Sequence, residues 1–134
     1  MRFGSYFVLL SCMKLSGLQA APVPTFTKDV APVLQAPCQS CHRPGEIGPF
    51  SLLTYEQARP WATAIKTSVL QRKLPPWFAD PHYGKFSNNR TLAKKDVDTI
   101  VDWVNGGAPK GDPKDMPAPV AFIEGWVIPN IFTL

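Results

Sequence analysis

Fifteen prolines in a chain of 134 residues exclude a fold built from long helices. Each one locks φ near about −65° and lacks an amide hydrogen, so a helix interior breaks where it falls. The chain is therefore expected to form a few short helices joined by ordered, proline-stiffened loops. A single small domain of that kind buries little apolar surface for its size, even though its hydrophobic share, 45%, is ordinary for a globular protein. Something else has to complete its core. Cys38-Gln39-Ser40-Cys41-His42 names a candidate. It reads C-x-x-C-H, the attachment signature of a c-type haem.

The chemistry explains the spacing. The thiols of Cys38 and Cys41 add to the two vinyl groups of one haem and form thioethers. His42 then lies beneath the iron and binds it through Nε2 as the proximal ligand. Two other readings fit C-x-x-C alone. Half a zinc site needs two further ligands at sensible spacing, and outside the motif only His82 and Cys12 remain. A dithiol oxidoreductase opens a helix after a buried strand, and no βαβ pattern surrounds residue 38. One covalent haem c is the expected cofactor.

Residues 1–20 read as an export signal. Arg2 supplies the charge, Phe3 to Leu10 is mostly apolar, and Leu18-Gln19-Ala20 places a small residue before a cut. Lys14 interrupts the apolar stretch, and Leu18 stands where a small residue is usual. Leu9-Leu10-Ser11-Cys12 also resembles a bacterial lipobox, in which Cys12 becomes the lipidated first residue. A membrane is an expected partner only in that case, because a spanning helix needs about 20 apolar residues. Cleavage after Ala20 lowers the formal charge from +4 to about +2, since Arg2 and Lys14 leave with the signal. The remaining lysines and arginines form no basic stripe, so no nucleic-acid partner is expected. A periplasmic or secreted location follows, and with both retained cysteines committed to haem, no structural disulfide is expected.

Four helical segments are legible. The first spans about Thr27 to Gln35, with Thr27 as N-cap, Asp29 in the first turn and an apolar face of Phe26, Val30 and Leu34. Thr54-Tyr55-Glu56-Gln57 matches a capping box and starts a short helix. Pro60 opens a longer one reaching about Arg72, with Trp61, Ala64, Ile65 and Val69 inward. In the last, Val97, Ile100, Val101 and Val104 fall at i, i+3, i+4 and i+7, and Gly106-Gly107 ends it. Ala93 occupies the place where a capping hydroxyl is natural; Asp96 favours the positive end of the helix dipole. Two turn-rich loops, residues 43–53 and 74–90, lie between. Residues 118–134 are strongly apolar, so they are expected to pack on the domain or to begin a second one.

Helix, C-x-x-C-H, Gly-Pro loop, helix, ligand loop, terminal amphipathic helix: this order resembles a class I cytochrome c domain. Phe26 to Leu34, Cys38 to Pro49, Tyr55 to Trp61, Pro75 to Asp80 and Trp103 to Pro109 are similar to one bacterial exported group. Its members often sit N-terminal to copper monooxygenase-like or thioredoxin-like redox domains. The resemblance covers about residues 25 to 126. It implies an all-α domain over residues 25–117, with three to four short helices wrapped around one covalent haem, and residues 118–134 as a tail that opens a missing second domain. It also implies redox protein partners, and that the chain is a truncated or split member of a longer redox protein. By position, Pro49 matches the loop proline whose carbonyl accepts the proximal histidine's Nδ1–H, a bond that orients the ring.

One departure bears on function. The group has Met before Pro-Pro-Trp, placed to serve as the distal ligand, and here that position is Leu74. His82 in the same loop and Met116 after the last helix are the candidate substitutes; otherwise the iron stays five-coordinate. Trp77 is expected against the porphyrin. Arg43, Arg59, Arg72 and Lys73 are candidates to neutralise the haem propionates, or are plain surface charges. A closed sixth position makes a single-electron carrier rather than an enzyme; an open one makes a small-ligand sensor or weak peroxidase conceivable.

Overall fold

The computed structural model describes residues 21–35 and 37–122. The expected signal at 1–20, the lipobox residue Cys12 and residues 123–134 of the apolar tail lie outside the described residues. The domain is all-α: among the described residues there is no strand. A π-helical turn at Phe26–Val30 runs into α1 (Ala31–Gln35), followed by α2 (Tyr55–Ala58), a 3-10 turn at Arg59–Trp61, α3 (Ala62–Leu70) and α4 (Lys94–Asn105). Further 3-10 turns at Pro81–Tyr83 and Pro113–Asp115 punctuate the loops. No helix among the described residues is long and apolar enough to cross a membrane.

The first helical segment begins at Phe26, ahead of the expected Thr27, and the reason is tertiary. Helix N-termini carry amide hydrogens with no partner inside the helix. Here Phe26 N–H donates to the Pro109 carbonyl and Thr27 N–H to the Lys110 carbonyl, both at 2.9 Å. Thr27 is not a cap but a buried residue of the first turn. Thr25 takes the N-cap position, and the Asp29 carboxylate accepts from its N–H at 2.7 Å.

The other termini follow local rules. At α2, Thr54 accepts from Gln57 N–H while the Gln57 side chain accepts from Thr54 N–H, the reciprocal pairing expected. Pro60 sits in the 3-10 turn, so the α3 interior begins at Ala62. That shift re-aims the helix: Ala62, Ile65 and Val69 are buried, while Ala64 and Trp61 face outward. α4 ends in a Schellman motif, with Ala108 N–H bonded to the Trp103 carbonyl and Gly107 N–H to the Val104 carbonyl. Gly107 takes φ +89°, which an L-residue adopts only under strain.

The core joins the first helical segment to α2 and α4. Phe26, Leu34, Ile100 and Trp103 are all within 1% of fully buried, and Phe26 meets both Tyr55 and Trp103 at ring centroid distances of 5.6 and 6.0 Å. The Trp103 indole N–H also donates to the Pro109 carbonyl at 3.0 Å. Leu52, Ala58 and α3 close the cluster, and Met116 and Cys38 pack at its margin. The described part of the apolar tail lies beside the end of α1 and the residue after the pentad, where Gln35 Nε2 donates to the Ala118 carbonyl and the Arg43 guanidinium lies over the Phe122 ring.

Candidate haem-attachment site

The pentad 38–42 forms one helical turn beyond α1. Cys38 N–H and Gln39 N–H both donate to the Leu34 carbonyl, and Cys41 N–H and His42 N–H both donate to the Cys38 carbonyl, at 3.1 and 2.9 Å. Residues three and four apart on such a turn share a face, so the two thiols and the imidazole follow one another around a single short arc. Gln39, inside the motif, is buried and donates from Nε2 to the Leu52 carbonyl at 2.9 Å. That bond and the Leu52 N–H to His42 carbonyl bond, also 2.9 Å, tie the turn to the loop that follows.

The loop orients His42. Its Nδ1 lies 3.1 Å from a backbone carbonyl, but the carbonyl is that of Phe50 and not of Pro49. Gly48 explains how the loop comes so close. A Cβ there would stand 2.5 Å from the Cys41 carbonyl oxygen and 2.9 Å from both Cα and Cγ of His42. The Gly48 N–H meanwhile donates to that Cys41 carbonyl at 2.8 Å, which locks the reversal. With Gly48 and Pro49 committed to the turn, the next carbonyl, at Phe50, is the one presented to the ring. The Phe50 ring also packs on His42 at 5.0 Å and stacks on Trp61 at 4.2 Å with 6° between planes. Trp61 therefore buttresses the histidine from outside, a role that its placement on a helix face did not suggest.

An Nδ1–H held by a carbonyl leaves the lone pair on Nε2, the tautomer that binds a metal. The thiols are unpaired. Burial, with the neighbouring Cys41 adding to it, pushes the Cys38 thiol up to about 12, so it stays protonated. Activated redox thiols lie in the opposite direction. Among the described residues no cluster of three or more His, Cys, Asp or Glu side chains is arranged to hold a metal ion. The turn therefore presents one imidazole nitrogen with a free lone pair beside two free thiols.

A cleft of about 680 Å³ opens between the end of α3, the 72–92 loop and the start of α4. Val69, Leu74, Trp77, Phe86, Leu92 and Val97 give it apolar walls. Val69 belongs to the core cluster, and Leu92, Val97 and Cys38 pack against that same cluster. A second hollow of about 430 Å³ shares Asn89, Thr91 and Leu92 with the cleft and is also lined by Pro32, Val33 and Pro37, the residue before Cys38. Trp77 stands at the cleft wall, edge-on to Phe86 at 5.8 Å.

Of the four cations singled out for propionates, only Arg72 lines the cleft. Arg43 is paired with Glu46 at 2.7 Å, Arg59 donates to the Gly107 carbonyl at 3.2 Å, and Lys73 does not line it. Lys85 and Lys94 line it instead. A count of cations along the chain does not single these two out. His82 lies between the lining residues Ala79 and Gly84, yet its side chain is 87% exposed. Its Nδ1 sits 2.7 Å from Asp80 Oδ1, and the two hydrogen bonds from His82, backbone first, hold the Asp80 carboxyl below its ordinary range. Met116 packs at the core margin, away from the cleft lining.

Compared with known proteins, the chain matches no family model, no curated protein and no solved structure.

Proposed function

We propose that this is a mono-haem c-type cytochrome domain that passes single electrons in an exported compartment as part of a larger redox protein. The observation that carries the reading is the preset imidazole: His42, one residue after two free thiols on the same turn, has Nδ1 against the Phe50 carbonyl and Nε2 left for iron. The raised Cys38 thiol weighs against a dithiol oxidoreductase, which needs a readily formed thiolate. Among the described residues no group of three or more His, Cys, Asp or Glu side chains is arranged to hold a metal ion, which weighs against zinc.

The residues present fit a haem. Apolar walls from Val69, Leu92 and Val97 suit a porphyrin face, and Arg72 and Lys85 offer cations to its carboxylates. Arg43 Nε, beside the motif, is a buried donor with no partner among the described residues. A bound haem supplies a one-electron iron couple whose potential depends on ligands, burial and hydrogen bonds. The chain's part is to hold that couple rigidly. Phe50 and Trp61 brace the His42 ring, and Gly48 keeps the loop against it. The partner is a redox protein or an adjoining redox domain of the same polypeptide.

Expression with a bacterial cytochrome c attachment system tests this. The denatured, washed protein should retain one haem by mass and peroxidase stain, and Cys38→Ala with Cys41→Ala should retain none. Haem lost on denaturation of the parent protein rejects the reading.

A further inference from the structure

We infer that Arg43 is the residue through which this chain raises the reduction potential of its haem, and that Phe122 makes it effective by keeping water off the guanidinium. The inference rests on the haem reading above and deepens it. Arg43 follows His42 directly, so its backbone is one residue from the proposed iron ligand. Apart from Arg43 and Lys66, every lysine and arginine among the described residues is exposed, and exposed charges are screened by water and salt. Lys66 lies on α3 and donates to Asn105, the last residue of α4, at 2.6 Å. Arg43 adjoins the motif itself, and its side chain is only 13% exposed.

The surroundings fix that cation in place. Pro44 and Gly45, the latter at φ +83°, turn the chain so that Glu46 N–H donates to the Arg43 carbonyl at 3.2 Å, the pattern of a type II turn. The turn brings Glu46 Oε1 to 2.7 Å from Arg43 Nη2. The Phe122 ring lies 4.7 Å from the guanidinium carbon, and its segment is held at Ala118 by the Gln35 side chain. Arg43 Nε is buried with no partner among the described residues, so the pairing with Glu46 leaves part of the cation unmatched. An arginine keeps its charge at any working pH. A fixed positive charge in a poorly solvated place favours the iron state of lower charge, the reduced one, and so raises the potential. Glu46, whose side chain is 37% exposed, opposes it from a better-screened position.

Redox titration of the haem-loaded protein, at one pH and low salt, tests the inference. Covalent haem is first established by staining after denaturation, so failure of the haem reading is separable from failure of the inference. Arg43→Gln should lower the ratio of reduced to oxidised iron at a fixed applied potential by about tenfold, a fall of about 59 mV for a one-electron couple. The optical spectrum should stay as in the parent protein, because His42 still binds the iron. Glu46→Gln, a change at an exposed residue, should shift the potential the opposite way. Phe122→Ala should move it in the direction of Arg43→Gln but less far, and should add little to Arg43→Gln in the double variant. An unchanged potential in Arg43→Gln, or shifts of one sign in Arg43→Gln and Glu46→Gln, overturns the inference. So does an altered spectrum in Arg43→Gln, which makes the residue a prop for the ligand rather than a source of charge. A Phe122→Ala shift retained in full without Arg43 overturns the part given to Phe122.

Discussion

Gly48 has no room for a side chain, because a Cβ would press on the Cys41 carbonyl and on the Cα and Cγ of His42. Backbone on one side and the ring base on the other cannot both yield, so Gly48→Ala should cost about 1–3 kcal/mol. The measurement is the thermal midpoint together with haem retention, and loss of both is expected because the displaced atoms belong to the motif. Cys38 makes a prediction about pH. Its folded thiol titrates near about 12 against 9.0 as the ordinary value. Between those limits the folded state holds the proton that the unfolded state releases, so stability falls as pH rises. Urea unfolding of the haem-free protein should lose about 2 kcal/mol between pH 8 and 10.5 relative to Cys38→Ala. A thioether carries no proton, so the haem-loaded protein should show no such difference.

The helices carry their own stop signals, and one of them is testable in isolation. Gly107 occupies the left-handed position of the Schellman motif that ends α4. Gly107→Ala should destabilise by about 1–2 kcal/mol through backbone strain alone, since nothing lies within 4 Å of the added methyl. Chemical denaturation of the haem-free and haem-loaded forms should give the same difference, because the position is remote from the cleft lining. The same motif closes α3, where Lys73 N–H bonds the Ser68 carbonyl and Arg72 N–H the Val69 carbonyl. There the left-handed residue is Arg72, φ +54°, not a glycine. A side chain kept in a costly conformation at a cleft wall is the kind of strain found at functional sites.

For the whole molecule, the carbonyls at 108–110 are the junction. They receive Tyr55 Oη, Trp103 Nε1 and the first two amides of the opening helical turn. Trp103 is the largest fully buried side chain among the described residues and touches both Phe26 and the Pro109 carbonyl, so it joins α4 to the first helical segment and to the stretch of chain after Gly107. Trp103→Ala should cost about 3–5 kcal/mol, most of the margin of a domain this small. Circular dichroism should find the haem-free variant largely unfolded, with haem attachment restoring part of the helix content.

What the sequence determined is local or covalent. The C-x-x-C-H pentad needs five adjacent residues, the Thr54 capping box four, the Gly107 stop a few more, and proline breaks helices wherever it falls. Each was legible because its physics operates within one turn of chain. Tertiary structure decided the rest. The first helix starts at Phe26 because carbonyls more than eighty residues away cap it. The His42 ring takes the Phe50 carbonyl because Gly48 lets the loop press close. Trp61 braces that loop rather than the core once Pro60 delays α3. Likewise, Arg72, Lys85 and Lys94 line the cleft while His82 turns outward to Asp80. Residue type alone cannot sort these groups, because their surroundings come from distant segments whose approach depends on how the core closes.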